Sequence, residues 1–204
     1  MSNPVKLTVV PPPAAAEGET AALAAMTDDK LMTLSAAGAR GAFRELVRRY
    51  QSRVLGVCVR SAPSPEEGRE LAQEVFVSLW QVAPRYRSSG SFPSFLFTLV
   101  RNQLRSSARK RATAVAATAE LGRAAPDAGQ AIALDRLLAA ENERRLQAAL
   151  GELDEVHRRA ILLRFTGELA YEEIAGLCDA PEGTVRSWVH HGLRKLRALL
   201  GDET

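Results

Sequence analysis

The chain has 204 residues, of which 46% are hydrophobic and 25% charged, a balance typical of a soluble globular protein that forms a core. This length allows two small domains or one of ordinary size. Its formal net charge is only +3, but residues 75–119 contain no acidic residue and hold a series of cations: Arg85, Arg87, Arg101, Arg105, Arg109, Lys110 and Arg111. This asymmetry predicts one surface for a polyanion and another for a different partner.

Several classes of protein are disfavoured by the residues that are scarce. Cys58 and Cys178 lie far apart in apolar helical patterns, which favours reduced core thiols in a cytoplasmic protein. No segment approaches the ~20 apolar residues that span a bilayer, and the first apolar run is too short for a signal peptide. Three histidines and two dispersed cysteines offer no set of metal ligands. Neither a phosphate-binding loop nor a nucleophile motif occurs, so we expect no catalytic residue, metal, cofactor or small-molecule substrate.

The first part of the chain predicts a tail followed by helices. Residues 1–26 are rich in proline and alanine without a period, and we expect a disordered tail there. Thr27 has the features of an N-cap, with Asp28 and Asp29 in the first helical turn. Apolar residues then recur at three- and four-residue steps over residues 43–57, which is typical of one helical face.

The segment SAPSPEEGRELAQEVFVSLW predicts a further helix with a defined start. Ser64 can cap this helix, Pro65 suits its first position, and Glu67 completes a capping box. The predicted buried stripe consists of Leu71, Val75 and Leu79. The polar residues that point away from this stripe are Glu70, Gln73 and Glu74.

The loop APRYRSSGSFPS leads into FLFTLV and then into RNQLRSSARKR. We expect the last two segments to form one helix with a buried beginning and a basic end. Residues 112–135 contain many alanines and Pro126 without a clear period, and predict a flexible linker. Aromatic residues make up only 5% of the chain and no long alternating run occurs, so the whole pattern predicts an all-α protein of two small helical domains.

The end of the chain predicts a helix-turn-helix. AYEEIAGLC is a short helix, DAPEG a turn, and the last helix has two distinct faces. Its apolar face comprises Val185, Val189, Leu193, Leu196 and Leu200. One position later along the helix, the basic face comprises Arg186, His190, Arg194 and Arg197. The spacing is typical of a helix that packs by one side and presents cations to solvent, as a recognition helix does in a major groove.

Both halves of the chain resemble one family. LGELDEVHRRAILLRFTGELAYEEIAGLCDAPEGTVRSWVHHGLRKLRALL resembles region 4 of the sigma-70 family of bacterial RNA polymerase sigma factors. AFRELVRRYQSRVLGV, EEGRELAQEVFVSLW and RYRSSGSFPSFLFTLVRNQL together resemble region 2. Only these two regions are recognisable, which is similar to the extracytoplasmic-function (ECF) group. The resemblance implies four segments: residues 1–26 as a tail, 27–111 as a region 2 domain, 112–135 as a linker and 136–204 as a region 4 domain.

The resemblance implies partners and the residues that meet them. Expected partners are core RNA polymerase, through its β′ clamp helices and β flap, promoter DNA and an anti-sigma factor. The expected polymerase contacts are Glu70, Gln73 and Glu74. The residues expected to recognise and melt the −10 element are Arg85, Tyr86, Phe92, Arg101, Asn102 and Arg105. The residues expected to read the −35 element are Thr184, Arg186, Ser187, His190, His191 and Arg194.

This chain departs from the family pattern at a few positions. Phe95 stands where tryptophan is usual and is expected to be a core residue. Ala170 replaces a Ser/Thr cap, which weakens that helix start by ~1 kcal/mol. Asp179 takes a turn position that is usually glycine, and aspartate tolerates left-handed geometry better than most residues. His191 stands where arginine is usual, which makes that contact sensitive to pH.

One alternative is a conventional dimeric helix-turn-helix regulator that does not bind polymerase. Such a protein binds its operator unaided, whereas a sigma factor needs core polymerase to bind its promoter strongly. The two hypotheses therefore differ in a measurable property.

Overall fold

The computed structural model describes residues 20–88, 91–117 and 134–201, and every regular element in them is helical. We number the α-helices in chain order: α1 (Asp28–Ala36), α2 (Arg40–Ser61), α3 (Pro65–Val82), α4 (Phe92–Ala117), α5 (Leu134–Gly151), α6 (Glu155–Ile161), α7 (Tyr171–Cys178) and α8 (Glu182–Leu200). A 3-10 turn, Ala83–Arg85, follows α3, and a π-helical turn, Leu162–Thr166, follows α6. The predicted all-α class is confirmed.

The observed helices differ from the predicted bounds of two segments, the tail and the linker. The proposed tail is wrong for its last residues, because residues 20–24 are helical, while residues 1–19 lie outside the described residues. The proposed linker begins inside α4, which continues to Ala117, and ends inside α5, which begins at Leu134. Residues 118–133 of that linker also lie outside the described residues.

By its contacts the chain divides into two compact units. The first extends to Arg49 and includes Trp80–Arg87, and the second comprises Tyr50–Leu79 and the residues from Ser88 onward. The second unit contains residues from both of the predicted domains. The boundaries of the two domains stay a prediction.

The first unit is held by polar contacts around the start of α1. Thr27 caps α1 as predicted, its hydroxyl accepting from the backbone N–H of Lys30 at 3.4 Å. The Arg49 guanidinium pairs with Asp28 at 2.7 Å and donates to the carbonyl of Ala24 at 2.8 Å. Since arginine has several donors in a fixed fork, this one side chain joins the turn before α1 to α2.

The buried faces of α3 and α4 form much of the core of the second unit. The predicted stripe Leu71, Val75 and Leu79 is at most 5% exposed. Ser64 caps α3, accepting from the N–H of Glu67 at 3.2 Å. The other half of the predicted capping box is replaced, because the Glu67 carboxylate accepts from Ser107 and Arg111 on α4.

Phe92 is a core residue. It is 3% exposed, and its ring lies edge-on to Tyr50 with centroids 5.3 Å apart. The expectation that Phe92 holds an unstacked base is corrected, because its faces are occupied by protein. Phe95, which was predicted to be a core residue, is only partly buried, so Phe92 is the more buried of the two rings.

The helix-turn-helix packs through the apolar faces that the sequence predicts. Val185, Val189 and Leu196 of α8 are at most 6% exposed, and Leu193 and Leu200 are partly buried. Leu196 belongs to a core cluster with Ala149, Leu150, Leu153, Ile161 and Leu162, and Leu193 and Leu200 pack against that cluster. A close approach at Gly192 brings α8 against α6, since a Cβ built there lies 2.6 Å from Ile161 Cδ1.

The turn between α7 and α8 depends on Asp179. Its φ is +52°, in the left-handed region that the sequence predicts for this position, and the next N–H, of Ala180, donates to the carbonyl of Ala175 at 3.1 Å. Aspartate adopts this conformation more readily than most non-glycine residues. The turn therefore keeps its shape without the usual glycine.

Candidate nucleic-acid interface and partner surface

The candidate recognition residues share the solvent side of α8. Arg186, Ser187, His190, His191 and Arg194 are exposed, and Thr184 is half-buried at the edge of that face. The helix begins at Glu182, earlier than the predicted Thr184. These residues therefore lie within the first four turns of a helix whose opposite side is anchored in the core.

Arg186 is oriented by two neighbours that the sequence analysis did not identify. Its Nε donates to Glu182 Oε1 at 3.0 Å, and its guanidinium lies 4.5 Å from the centroid of the Tyr171 ring. A second cation, the guanidinium of Arg164, lies 5.0 Å from the same centroid. Stacking on an aromatic face limits the rotamers of a long cation. The i, i+4 spacing of Glu182 and Arg186 was readable from the sequence, whereas the contact with Tyr171 was not.

The two neighbouring histidines of α8 have different surroundings. Their ring centroids lie 5.6 Å apart, and Arg194 Nη2 lies 3.0 Å from Nδ1 of His191. Because a guanidinium only donates, this nitrogen of His191 acts as the acceptor. His190 keeps an exposed ring. The face thus carries two arginines and two imidazoles that can donate to phosphates or to guanine edges.

The start of α7 compensates for the missing cap at Ala170. Glu173 reaches back, and its Oε2 accepts from the backbone N–H of Ala170 at 2.8 Å. Its other oxygen accepts from Ser91, at the start of α4. The alanine side chain has no acceptor, so half of the capping box is present and the predicted weakening is partly offset.

The basic end of α4 is only partly turned to solvent. Asn102 and Arg105 are exposed. Arg101 is half-buried, and its Nη1 donates to the carbonyl of Leu177 in the last turn of α7. A cation at a helix C-terminus is stabilised by the unpaired carbonyls there. Part of the Arg101 guanidinium is thus engaged within the protein, and its role as a phosphate contact stays a prediction.

Arg85 and Tyr86 lie in the first unit, after α3. Arg85 is exposed, whereas Tyr86 is half-buried and its hydroxyl donates to the carboxylate of Asp29. This hydrogen bond fixes the position of the Tyr86 ring. Sequence spacing could not reveal a partner 57 residues away in the chain.

The candidate partner surface, whose role stays a prediction, lies on one exposed side of α3. Glu70, Gln73 and Glu74 are exposed and line a shallow depression together with Val77. Val77 is 56% exposed, and the sequence analysis missed it. Its position three residues after Glu74 was the signal, because i, i+3 and i+4 neighbours share a helical face. An exposed valine among carboxylates is suited to a partner helix that carries both apolar and basic residues.

Within the residues that the structure describes, no cluster of three or more His, Cys, Asp or Glu side chains is placed to bind a metal ion. No helix in the same part of the chain is long and apolar enough to cross a membrane.

Comparison with known proteins identifies the family of this chain. The model described as Sigma-70 region 2 matches residues 46–113, and the model described as Sigma-70, region 4 matches residues 143–196. RNA polymerase sigma factor CarQ from Myxococcus xanthus is 30% identical over 165 residues, which cover 81% of this chain and 92% of CarQ. The chain belongs to the sigma-70 family, in its ECF group. The ECF sigma factor SigK of Mycolicibacterium vanbaalenii is similar to this sigma factor too, with 29% identity over 78% of this chain and 82% of SigK.

Solved structures with the same fold extend over most of this sigma factor. CnrH, in complex with the cytosolic domain of CnrY, superimposes with a TM-score of 0.64 at 20% identity, over 87% of this chain and 99% of CnrH. The sigma factor RpoE of Bartonella quintana, in complex with the anti-sigma factor NepR, has a TM-score of 0.65 at 22% identity, over 79% of this chain and 98% of RpoE. At these identities the likeness concerns the fold.

Proposed function

We propose that this ECF sigma factor reads the −35 element with α8, engages and melts the −10 element with the basic part of α4 and the Arg85–Tyr86 segment, and binds core polymerase through α3. The observation that carries the proposal is the two-sided character of α8. Its apolar stripe is buried, so the cations of its other side are held on a fixed support and face solvent. Fixed cations lose little conformational entropy when they meet DNA.

For the −35 element, the base-reading residue is Arg186, with Ser187, His190 and His191 beside it. Arginine pairs with both acceptors of a guanine edge, and its stacking on Tyr171 pre-orients the guanidinium. Arg194 lies further along the exposed face, and Thr184 lies at its edge. Both suit contacts with phosphates.

For the −10 element, Asn102 and Arg105 form the exposed pair on α4, and Arg85 adds a cation in the first unit. Asn102 can read a base edge, and the arginines can neutralise phosphates. Arg101 joins this set with its remaining donors, because its Nη1 donates to the carbonyl of Leu177. Phe92 is omitted from the site because it is buried.

For polymerase, the carboxylates of Glu70 and Glu74 with Gln73 and Val77 suit the β′ clamp helices, while the region 4 domain meets the β flap.

The proposed domain limits are residues 27–111 and 136–204. The protein acts in the cytoplasm, as a factor that positions the polymerase and performs no chemistry itself. An anti-sigma partner is proposed because RpoE, which has the same fold, is in complex with the anti-sigma factor NepR.

Transcription with purified core polymerase on a library of host genomic fragments tests this proposal. We expect discrete transcripts that need both proteins, and Arg186→Ala and Asn102→Ala each to reduce them about tenfold or more, the effect of losing one base contact. Arg144→Ala, which removes an exposed cation from α5, is the charge-matched control and should change little. Transcripts that are unaffected by both substitutions would refute the assigned sites.

The alternative of a dimeric regulator makes the opposite prediction. It requires tight, sequence-specific binding by the chain alone, and the family membership does not favour it. Titration of one active fragment with the chain, with and without core polymerase, separates the two functions.

A further inference from the structure

A cavity of about 250 Å³ lies within the second unit, among α2, α4, α6 and α7. Its apolar wall includes Phe97, Val100, Leu162 and Leu163, all of which belong to buried parts of the core. Its basic wall comprises Arg101, Arg105, Arg111, Arg158 and Arg159. A site that combines an apolar wall with a few converging polar groups has the composition of ligand pockets in general.

The arginines of this cavity have unused donors. Within the part of the chain that the structure describes, the Nε atoms of Arg101 and Arg159 are buried and have no hydrogen-bond partner. Among the described residues, the side chains of Arg105 and Arg158 have neither a hydrogen bond nor an ion pair. The buried Nε atoms have almost no accessible surface, whereas Arg105 is exposed and Arg158 is half-buried, so the donors of these two side chains are the ones that an anion in the cavity can reach.

The other lining charges leave this basic character in place. Arg111 is paired with Glu67, and Arg159 lies 3.4 Å from the carboxylate of Glu155. Among the described residues of the lining, Glu155 is the one acidic residue, and its side chain is 74% exposed. The formal charge of the lining is therefore strongly positive, with the carboxylate at the solvent side.

We propose that this cavity binds a small amphiphilic anion, a carboxylate on an apolar tail of medium length. The guanidinium groups would pair with the carboxylate in the forked geometry that arginine favours. The tail would pack on the apolar wall. A simple inorganic anion fills only the basic side of the cavity, and a neutral lipid gains no ion pair with the arginines.

Occupancy has a consequence that depends on the proposed function. Arg101 and Arg105 belong to the proposed −10 set, and a carboxylate in the cavity would use their donors. The ligand would also bridge α4 to α6 and α7. Binding of this anion would therefore disfavour engagement of promoter DNA.

Calorimetric titration of the full-length protein with three probes tests the site. Octanoate carries both head and tail, acetate the head alone, and octanol the tail alone. We expect saturable binding of octanoate with one site per chain and a dissociation constant below about 1 mM, and at least about tenfold weaker binding of acetate and octanol. Absence of saturable octanoate binding, or equal binding of octanol, would overturn the proposal. None of these measurements requires transcription, so their failure is distinct from failure of the proposed function.

Two matched pairs of variants locate the binding. Ala108→Phe fills the cavity from an exposed position of its lining, and Ala198→Phe adds the same ring on the exposed side of α8. Arg158→Gln removes an unpaired lining cation, and Arg144→Gln removes a cation elsewhere. We expect the first member of each pair to weaken octanoate binding about tenfold or more and the second to leave it unchanged. Binding that survives both Ala108→Phe and Arg158→Gln contradicts the assigned cavity.

Thiol protection gives an independent readout on the unmodified chain. Cys178 lines the cavity, whereas Cys58 is fully buried elsewhere in the core. Octanoate should slow alkylation of Cys178 severalfold at saturating concentration, and acetate should not. An unchanged rate at concentrations where calorimetry detects binding would place the ligand elsewhere and refute the site.

Discussion

Replacing Gly68 with alanine should destabilise this sigma factor, although the helix itself would gain. Gly68 lies in α3, where alanine is intrinsically favoured over glycine by about 1 kcal/mol. A Cβ at this position, however, lies 2.4 Å from Cα and 2.8 Å from N of Val59 on α2. Ordinary contacts begin at 3.4 Å, so α2 and α3 must separate by about 1.0 Å (3.4 − 2.4).

The cost of this separation exceeds the gain in helix propensity. The clashing atoms belong to the backbone, so no rotamer change relieves them, and overpacking of this kind costs about 3 kcal/mol or more. The net loss in free energy of unfolding is therefore about 2 kcal/mol, which lowers Tm by about 4–8 °C in a chain of this size.

Gly176→Ala is the matched control for this prediction. Gly176 also lies inside a helix, α7, but a Cβ there meets no atom of the described residues within 4 Å. Its substitution should raise the free energy of unfolding by up to about 1 kcal/mol. Urea denaturation followed by circular dichroism at 222 nm measures both variants. A Gly68→Ala protein as stable as the wild type would refute the assigned approach of α2 and α3.

Other predictions concern ionisation, thiol reactivity and DNA contact. The Arg48 guanidinium, helped by Arg49, lowers the pKa of the buried Glu45 carboxyl to about 2 from a usual 4.5. The ionised carboxylate therefore stabilises the fold above about pH 4.5, and this stability is lost as the pH falls towards 2. The urea midpoint of Glu45→Gln should therefore change less between pH 6 and pH 3 than the midpoint of the wild type does. Burial raises the pKa of the Cys58 thiol to about 12, so this thiol should not react with iodoacetamide at pH 8 in the native protein. Mass spectrometry should then find adducts only on Cys178 in the native protein, and on both cysteines in urea. Tyr171→Ala should weaken promoter binding by the holoenzyme two- to fivefold in a gel-shift titration, since an exposed cation–π contact is worth about 0.5–1 kcal/mol, whereas Tyr171→Phe keeps the ring and should match the wild type.

The periodic features of this protein are determined by local sequence. The all-α class, the cap at Thr27, the buried stripe of α3 and the two faces of α8 follow from residue spacing and cap chemistry, which act within a few residues of one another. The same is true of Asp179, whose conformation depends on its own side chain and the turn around it. The polar surface of Glu70, Gln73 and Glu74 follows directly, because it is what remains when the apolar stripe is buried.

Other features depend on segments that are distant in the chain, and only the tertiary structure determined them. The sequence predicts Phe92 and Arg101 at a nucleic-acid surface, but Tyr50 covers the first and Leu177 binds the second. Glu67 leaves its predicted capping box for Ser107 and Arg111. Spacing along one helix specifies which side a residue faces, whereas the group that it meets there is supplied by another helix whose approach depends on the packing of the whole core.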